Sequence, residues 1–85
     1  MFYVYVLKSI KDDKIYTGYT SNLKIRVEQH NNGEVFSTKS RRPFVLVYYQ
    51  AFLSEVDALI EEKYLKSGGN AKSTLKLRIR ESLTI

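Results

Sequence analysis

Two stretches of the chain are almost continuously apolar and of strand length: "FYVYVLK" (2–8) and "FVLVYYQAF" (44–52). Their β-branched and aromatic content predicts buried strands, the second of them central in its sheet. After the first, "SIKDD" (9–13) is a polar turn and "KIYTGYT" (14–20) a returning strand, which makes a β-hairpin. Gly18 inside that strand predicts a bulge, or a point where another group approaches the backbone closely. The period then changes to helical. In "SNLKIRVEQHNNG" (21–33), Leu23 and Val27 lie one turn apart as a buried stripe, with Ile25 on the far side. Ser21 is the expected N-cap, and Asn31, Asn32 and Gly33 are stop signals. Residues 34–43, "EVFSTKSRRP", read as an irregular basic loop. "SEVDALIEEKYLKSGG" (54–69) reads as a helix with capping-box spacing at Ser54 and Asp57, with Val56, Leu59 and Ile60 facing inward and Gly68–Gly69 ending it. The tail (70–85) places Leu75, Ile79 and Leu83 at helical spacing, although Leu75, Leu77 and Ile79 also alternate; it is read as a helix. The order β-β-α-β-α-α, without repeats or linkers, predicts a single α+β domain over 1–85, a short sheet with helices packed on it.

Composition narrows this picture. A chain of 85 residues buries a modest core, so any site lies near the surface. The net charge of +5 favours phosphate-rich partners or anionic surfaces. The absence of cysteine excludes disulfides, thiolate zinc sites and cysteine nucleophiles. No apolar run is long enough to span a membrane, and the first residues do not read as a signal peptide, so the expected location is cytoplasmic.

Candidate chemistry is concentrated in a few residues. His30, the one histidine, lies one helical turn from Arg26 at the edge of the Leu23–Val27 stripe. A guanidinium suits a phosphate, and an imidazole moves protons near neutral pH; the plainer reading is two surface side chains of an amphipathic helix. Glu62 has Ala58, Leu59 and Leu65 one turn away, a more apolar setting than that of Glu61. A carboxylate there needs a cation, a donor or a metal, and Lys66 at i+4 offers the simplest partner. Tyr3, Tyr48 and Tyr49 read as core or sheet-surface aromatics. Tyr5 and Tyr16 share a face of the hairpin if its connecting loop has an even number of residues, or if a bulge near Gly18 corrects the phase. Together these groups suit phosphodiester hydrolysis, and no serine–histidine–acid set, Walker loop or HExxH motif competes with them.

"YVYVL" (3–7), "KIYTGYTSNLKIRVEQHNNG" (14–33) and "ALIEEKYLKSG" (58–68) resemble, in order, the GIY-YIG nuclease family, and most of all its small single-domain members related to the amino-terminal domain of the excinuclease C subunit. The resemblance implies a three-stranded antiparallel sheet flanked by helices and a metal-dependent DNA endonuclease of DNA repair or processing, structure-selective if selective at all. It implies that Tyr5 positions or deprotonates the attacking water and that Tyr16 orders nucleophile and phosphate. Arg26 would neutralise the scissile phosphate, His30 join the Tyr5 proton network, and Glu62 ligate one divalent ion, Mg²⁺ or Mn²⁺. Tyr3 and Thr17 depart from the tripeptides that name the family, Glu61 stands where a basic residue is common, and Asn70 matches the family's late asparagine by position but poorly by context. Lys39, Arg41, Arg42 and Lys72, with Lys76, Arg78 and Arg80, are the expected grips on flanking phosphates of DNA, contacts that give affinity without sequence choice. Specificity would then come from DNA shape or a protein partner. Two alternatives stay open: a nucleic-acid-binding module that stacks bases on sheet tyrosines without catalysis, and a protein-interaction domain that keeps the fold without the activity.

Overall fold

The computed structural model describes residues 1–84. Strands β1 (Phe2–Ser9) and β2 (Ile15–Thr20) form the hairpin; α1 (Leu23–Asn31) follows, then β3 (Phe44–Phe52), α2 (Glu55–Lys66) and α3 (Gly69–Arg78). Short 3₁₀ turns occupy Lys39–Arg41 and Ser82–Thr84. The sheet is antiparallel with order β2-β1-β3. β1 is therefore the central strand, and β3, expected to be central, is an edge strand. Burial follows position: Val4, Val6 and Leu7 are fully buried, whereas Tyr49, Gln50 and Ala51 of β3 are exposed.

Side chains alternate along β1, so each face of the sheet acquires its own small core. On one face Val4 and Val6 meet Ala58 and Leu65 of α2 and Leu75 of α3. On the other, Tyr5 and Leu7 meet Phe44, with Tyr16, Leu23, Val27 and Leu46 around them. Burying a Val or Leu side chain is worth about 1.5–3 kcal/mol, so β1, which feeds both cores, is the strand the fold can least spare.

The helices depart from expectation in three places. α1 is capped by Asn22 rather than Ser21: Asn22 Oδ1 accepts the Ile25 N–H at 3.2 Å. The Thr20 hydroxyl in turn accepts the Asn22 N–H at 3.1 Å, which sets the entry one residue later. In α2, Ser54 caps as expected, through the Asp57 N–H. The buried stripe is not Val56, Leu59 and Ile60, however; all three are exposed, and Ala58 and Leu65, two turns apart, face the sheet. α2 carries two competing apolar stripes, and the one led by small Ala58 lets the helix approach the strands closely. In the tail, Leu75 is buried and Leu77 exposed, which fits the helical spacing rather than the alternation, but the helix ends at Arg78 and Leu83 lies in the separate 3₁₀ turn.

Candidate active site

The hairpin sets the first contacts. β1 and β2 pair without a shift from Tyr3↔Thr20 to Lys8↔Ile15, which leaves six residues, 9–14, between the last paired positions. The even loop keeps the phase, and no bulge occurs in this pair. The register shift in the sheet lies instead between β1 and β3, at Val6/Leu7. Tyr5 is paired with Gly18, and Tyr16, two residues from Gly18, points to the same face; the Tyr5 and Tyr16 rings stand 6.5 Å apart. Gly18 is where the chain makes room. A Cβ there would lie 2.4 Å from Tyr5 Cζ and Oη, so the phenol rests directly on the glycine backbone.

α1 delivers His30 to this phenol. His30 is completely buried, and its Nε2 is hydrogen-bonded to Tyr5 Oη at 2.7 Å. Its ring meets Tyr16 (5.1 Å) and Phe44 (6.0 Å) edge-on, so three aromatic side chains fix its plane. The end of α1 is pinned by the next residue. Asn31 Oδ1 accepts the Phe44 N–H at 2.7 Å and Asn31 Nδ2 donates to the Phe44 carbonyl at 3.0 Å, so a side-chain amide pairs with the start of β3 as a neighbouring strand would. On the far side of the imidazole, Nδ1 is hydrogen-bonded to Thr38 Oγ1 at 2.8 Å.

Burial pushes the Tyr5 phenol up to about 12; the Arg26 guanidinium pulls it down, while Tyr16 and Glu62 add to the rise. Burial, with the charge of Arg26 behind it, pushes His30 down to about 4. At rest the pair is therefore a neutral phenol and a neutral imidazole. Moving the phenolic proton to the imidazole is therefore uphill at rest.

Arg26 is half-buried and donates from Nη1 to Gln29 Oε1 at 3.0 Å. Glu62 stands on α2 and acts on Tyr5 through its charge. Its carboxylate is one-fifth exposed and takes Lys66 Nζ on Oε2 at 3.0 Å, and the same ammonium lies 5.8 Å from the centre of the Tyr16 ring. The expected i,i+4 pair is thus present, and its ammonium lies against Tyr16. Among the described residues no group of three or more histidines, cysteines or carboxylates gathers around a point. A single, partly open carboxylate fits a hard divalent ion that keeps its waters and takes further oxygens from a phosphate, and does not fit an all-protein cage.

The expected phosphate grips do not form one surface. Arg41 is committed elsewhere: its Nε donates to Asp12 Oδ2 at 2.8 Å and its guanidinium lies 5.5 Å from the Phe44 ring centre. That contact holds the Asp12 carboxyl far below the usual carboxylate range. Lys39 and Arg42 are exposed, with Arg42 lying over Gly33. Lys72 sits on α3, across the sheet from α1 and its loop. Asn70 lies exposed in the first turn of α3. Sequence reasoning missed Thr38 and the anchoring role of Asn31. A threonine in a polar loop gives no signal, and Asn31 read only as a helix stop.

Residues 1–77 match the GIY-YIG catalytic domain. The chain is 46% identical to a UPF0213 protein of Staphylococcus haemolyticus over 66 residues, covering 76% of this chain and 79% of that one. It is 44% identical to a UPF0213 protein of Natronomonas pharaonis over 71 residues, 82% of each chain. The solution NMR structure of a UPF0213 protein from Bacillus halodurans superposes with a TM-score of 0.58 at 32% identity, covering 99% of this chain and 94% of that one.

Proposed function

Since the chain belongs to the GIY-YIG family, a family of nucleases, we propose that it is a divalent-metal-dependent DNA endonuclease acting in DNA repair or processing, with Tyr5 as the group that takes the proton from the attacking water. The observation that carries this reading is the buried bond between Tyr5 and His30, with Tyr16 against both and with Arg26 and Glu62 close enough to act on the acidity of Tyr5.

A structural tyrosine does not need such surroundings. The Tyr5 ring lies on Gly18 and between Tyr16 and His30, so its oxygen has one position. Activation must overcome the resting gap between phenol and imidazole. Among this chain's own groups the downward pull on Tyr5 comes from Arg26, which can also neutralise an incoming phosphate through its planar fork of donors. His30, neutral at rest, is able to accept the phenolic proton through Nε2 as the phenol takes one from water. Tyr16 crowds the same pocket and limits where water stands. Glu62 would hold the divalent ion, Mg²⁺ or Mn²⁺, which when bound polarises the phosphate and offsets charge on the leaving oxygen.

The test is cleavage of labelled single-stranded, duplex, flapped and branched DNA with Mg²⁺, Mn²⁺ or EDTA, by wild type, Tyr5→Phe and Glu62→Gln. The expected result is metal-dependent cutting that either substitution lowers by at least about 100-fold. Cutting that persists undiminished in Tyr5→Phe would reject the assignment of Tyr5.

A second reading, a nucleic-acid-binding module without catalysis, draws on a groove of about 700 Å³ between α1 and β3, where Tyr3 and exposed Tyr49 meet edge-on at 6.1 Å beside Lys24. It predicts salt-sensitive DNA binding that Tyr49→Ala weakens, with no cutting under any metal.

A further inference from the structure

The segment between α1 and β3 is a surface loop in which Ser37 and Lys39 are exposed, yet Thr38 between them is completely buried. Thr38 occupies the N-cap position of the 3₁₀ turn Lys39–Arg41, where a threonine hydroxyl normally accepts a backbone N–H, and it makes no such bond. Its hydroxyl points inward, 2.8 Å from His30 Nδ1 and 3.5 Å from the Val35 carbonyl oxygen.

Counting hydrogens gives this chain of bonds a direction. Three mobile hydrogens serve it: one on Tyr5 Oη, one on the neutral imidazole and one on Thr38 Oγ1. The chain ends at a carbonyl, which can only accept. If Thr38 donates to Val35, its oxygen is free to accept Nδ1–H, and His30 Nε2 is free to accept the phenolic hydrogen; every hydrogen then has an acceptor. If the chain runs the other way, Thr38 donates to Nδ1 and Nε2–H donates to Tyr5. The phenolic hydrogen is then left without an acceptor, since among the described residues Tyr5 Oη has no hydrogen-bonded acceptor but His30 Nε2, and Arg26 beside it is a donor only. Leaving a buried donor unpaired carries its full desolvation cost, which selects the first arrangement.

We infer that Thr38 is a positioning residue of the site: held between His30 and the Val35 carbonyl, it fixes the imidazole as the Nδ1–H tautomer and so presents Nε2 to Tyr5 as a proton acceptor. The catalytic part of this inference rests on the nuclease reading above; the tautomer does not. In the opposite tautomer Nε2 carries a hydrogen and cannot receive the proton that Tyr5 must shed. A methyl-bearing residue of the same shape keeps the packing and removes the acceptor; each tautomer then leaves one buried donor unpaired, Nδ1–H or the phenol, and the bias toward Nδ1–H is lost.

The experiment uses untagged, ¹⁵N-labelled protein, in which His30 is the one histidine, so long-range ¹H–¹⁵N spectra report a single imidazole. Wild type and Thr38→Ser are expected as the Nδ1–H form, and Thr38→Val as a mixture of both neutral forms. In DNA cleavage Thr38→Val is expected to lower kcat about 10- to 100-fold with KM little changed, as partners that orient a histidine commonly do, and Thr38→Ser to stay within about threefold of wild type. An Nε2–H wild type, or a folded Thr38→Val as fully Nδ1–H as wild type, overturns the inference; so do equal losses in the Ser and Val variants. Should Thr38→Val not fold, the wild-type spectrum still decides the direction of the chain. If wild type cuts no DNA, the nuclease reading fails while the spectra still judge the tautomer.

Discussion

Gly18 faces Tyr5 across the β1–β2 pair because the phenol occupies the volume a side chain would take. Tyr5 has little room to yield, being buried and bonded to His30. Gly18→Ala is therefore expected to cost about 1–3 kcal/mol, as overpacking does, read as a lower urea midpoint at unchanged m-value, and to loosen the Tyr5–His30 bond. A loss under about 0.5 kcal/mol would mean that the phenol moves aside freely. His30 gives the residue scale its pH signature. Its folded value is lowered to about 4, so the unfolded chain binds the proton first, near the ordinary histidine value of about 6.5. Its contribution is fully present above that value and is lost as the pH falls toward 4, roughly 3 kcal/mol in all. Urea titrations from pH 7.5 to 4 should show this slope, and His30→Asn should flatten that part of it. Asp12, held low by Arg41, contributes with the same sign but further into acid.

At the scale of elements, α1 and β3 are joined by a side chain rather than a ladder. Asn31 satisfies the backbone N–H and carbonyl of Phe44 and, as the neighbour of His30, fixes how far α1 reaches into the site. Asn31→Ala is expected to cost about 1–3 kcal/mol and to lower kcat as His30 loses its fixed depth. Unchanged amide exchange at Phe44 would show that water or another group replaces the asparagine. In α2 the choice of stripe has a functional consequence. With Ala58 and Leu65 against the sheet, Glu62 lies on the flank of the buried face, paired with the Lys66 ammonium that lies over Tyr16. Had Val56, Leu59 and Ile60 been buried, Glu62 would have been turned away from this position.

Over the whole molecule, the sheet separates two cores and, with them, two groups of cations. Lys39 and Arg42 belong to the face that carries Tyr5 and His30, and Lys72 to the opposite side. A strand lying across the candidate site meets the first group. DNA binding in EDTA should therefore lose up to about two units of its log–log salt slope in the Lys39→Ala/Arg42→Ala double variant, and little in Lys72→Ala. Equal losses from both would indicate DNA wrapped around both faces. No helix among the described residues is long and apolar enough to cross a membrane.

Local pattern was sufficient for the hairpin and the three helices, because strand alternation, caps and turn residues act within a few positions of one another; that Tyr5 and Tyr16 share a face through an even loop, not through a bulge at Gly18, was decided by the register. Ordered motifs were sufficient to nominate Arg26, His30 and Glu62. The sequence could not tell that β1 rather than β3 is central, since two continuous apolar runs are equivalent until strands are paired. Nor could it choose between the stripes of α2, find Thr38 behind the imidazole, or see that Arg41 is spent on Asp12. Each of these depends on what lies opposite in space, and tertiary packing alone supplies that neighbour.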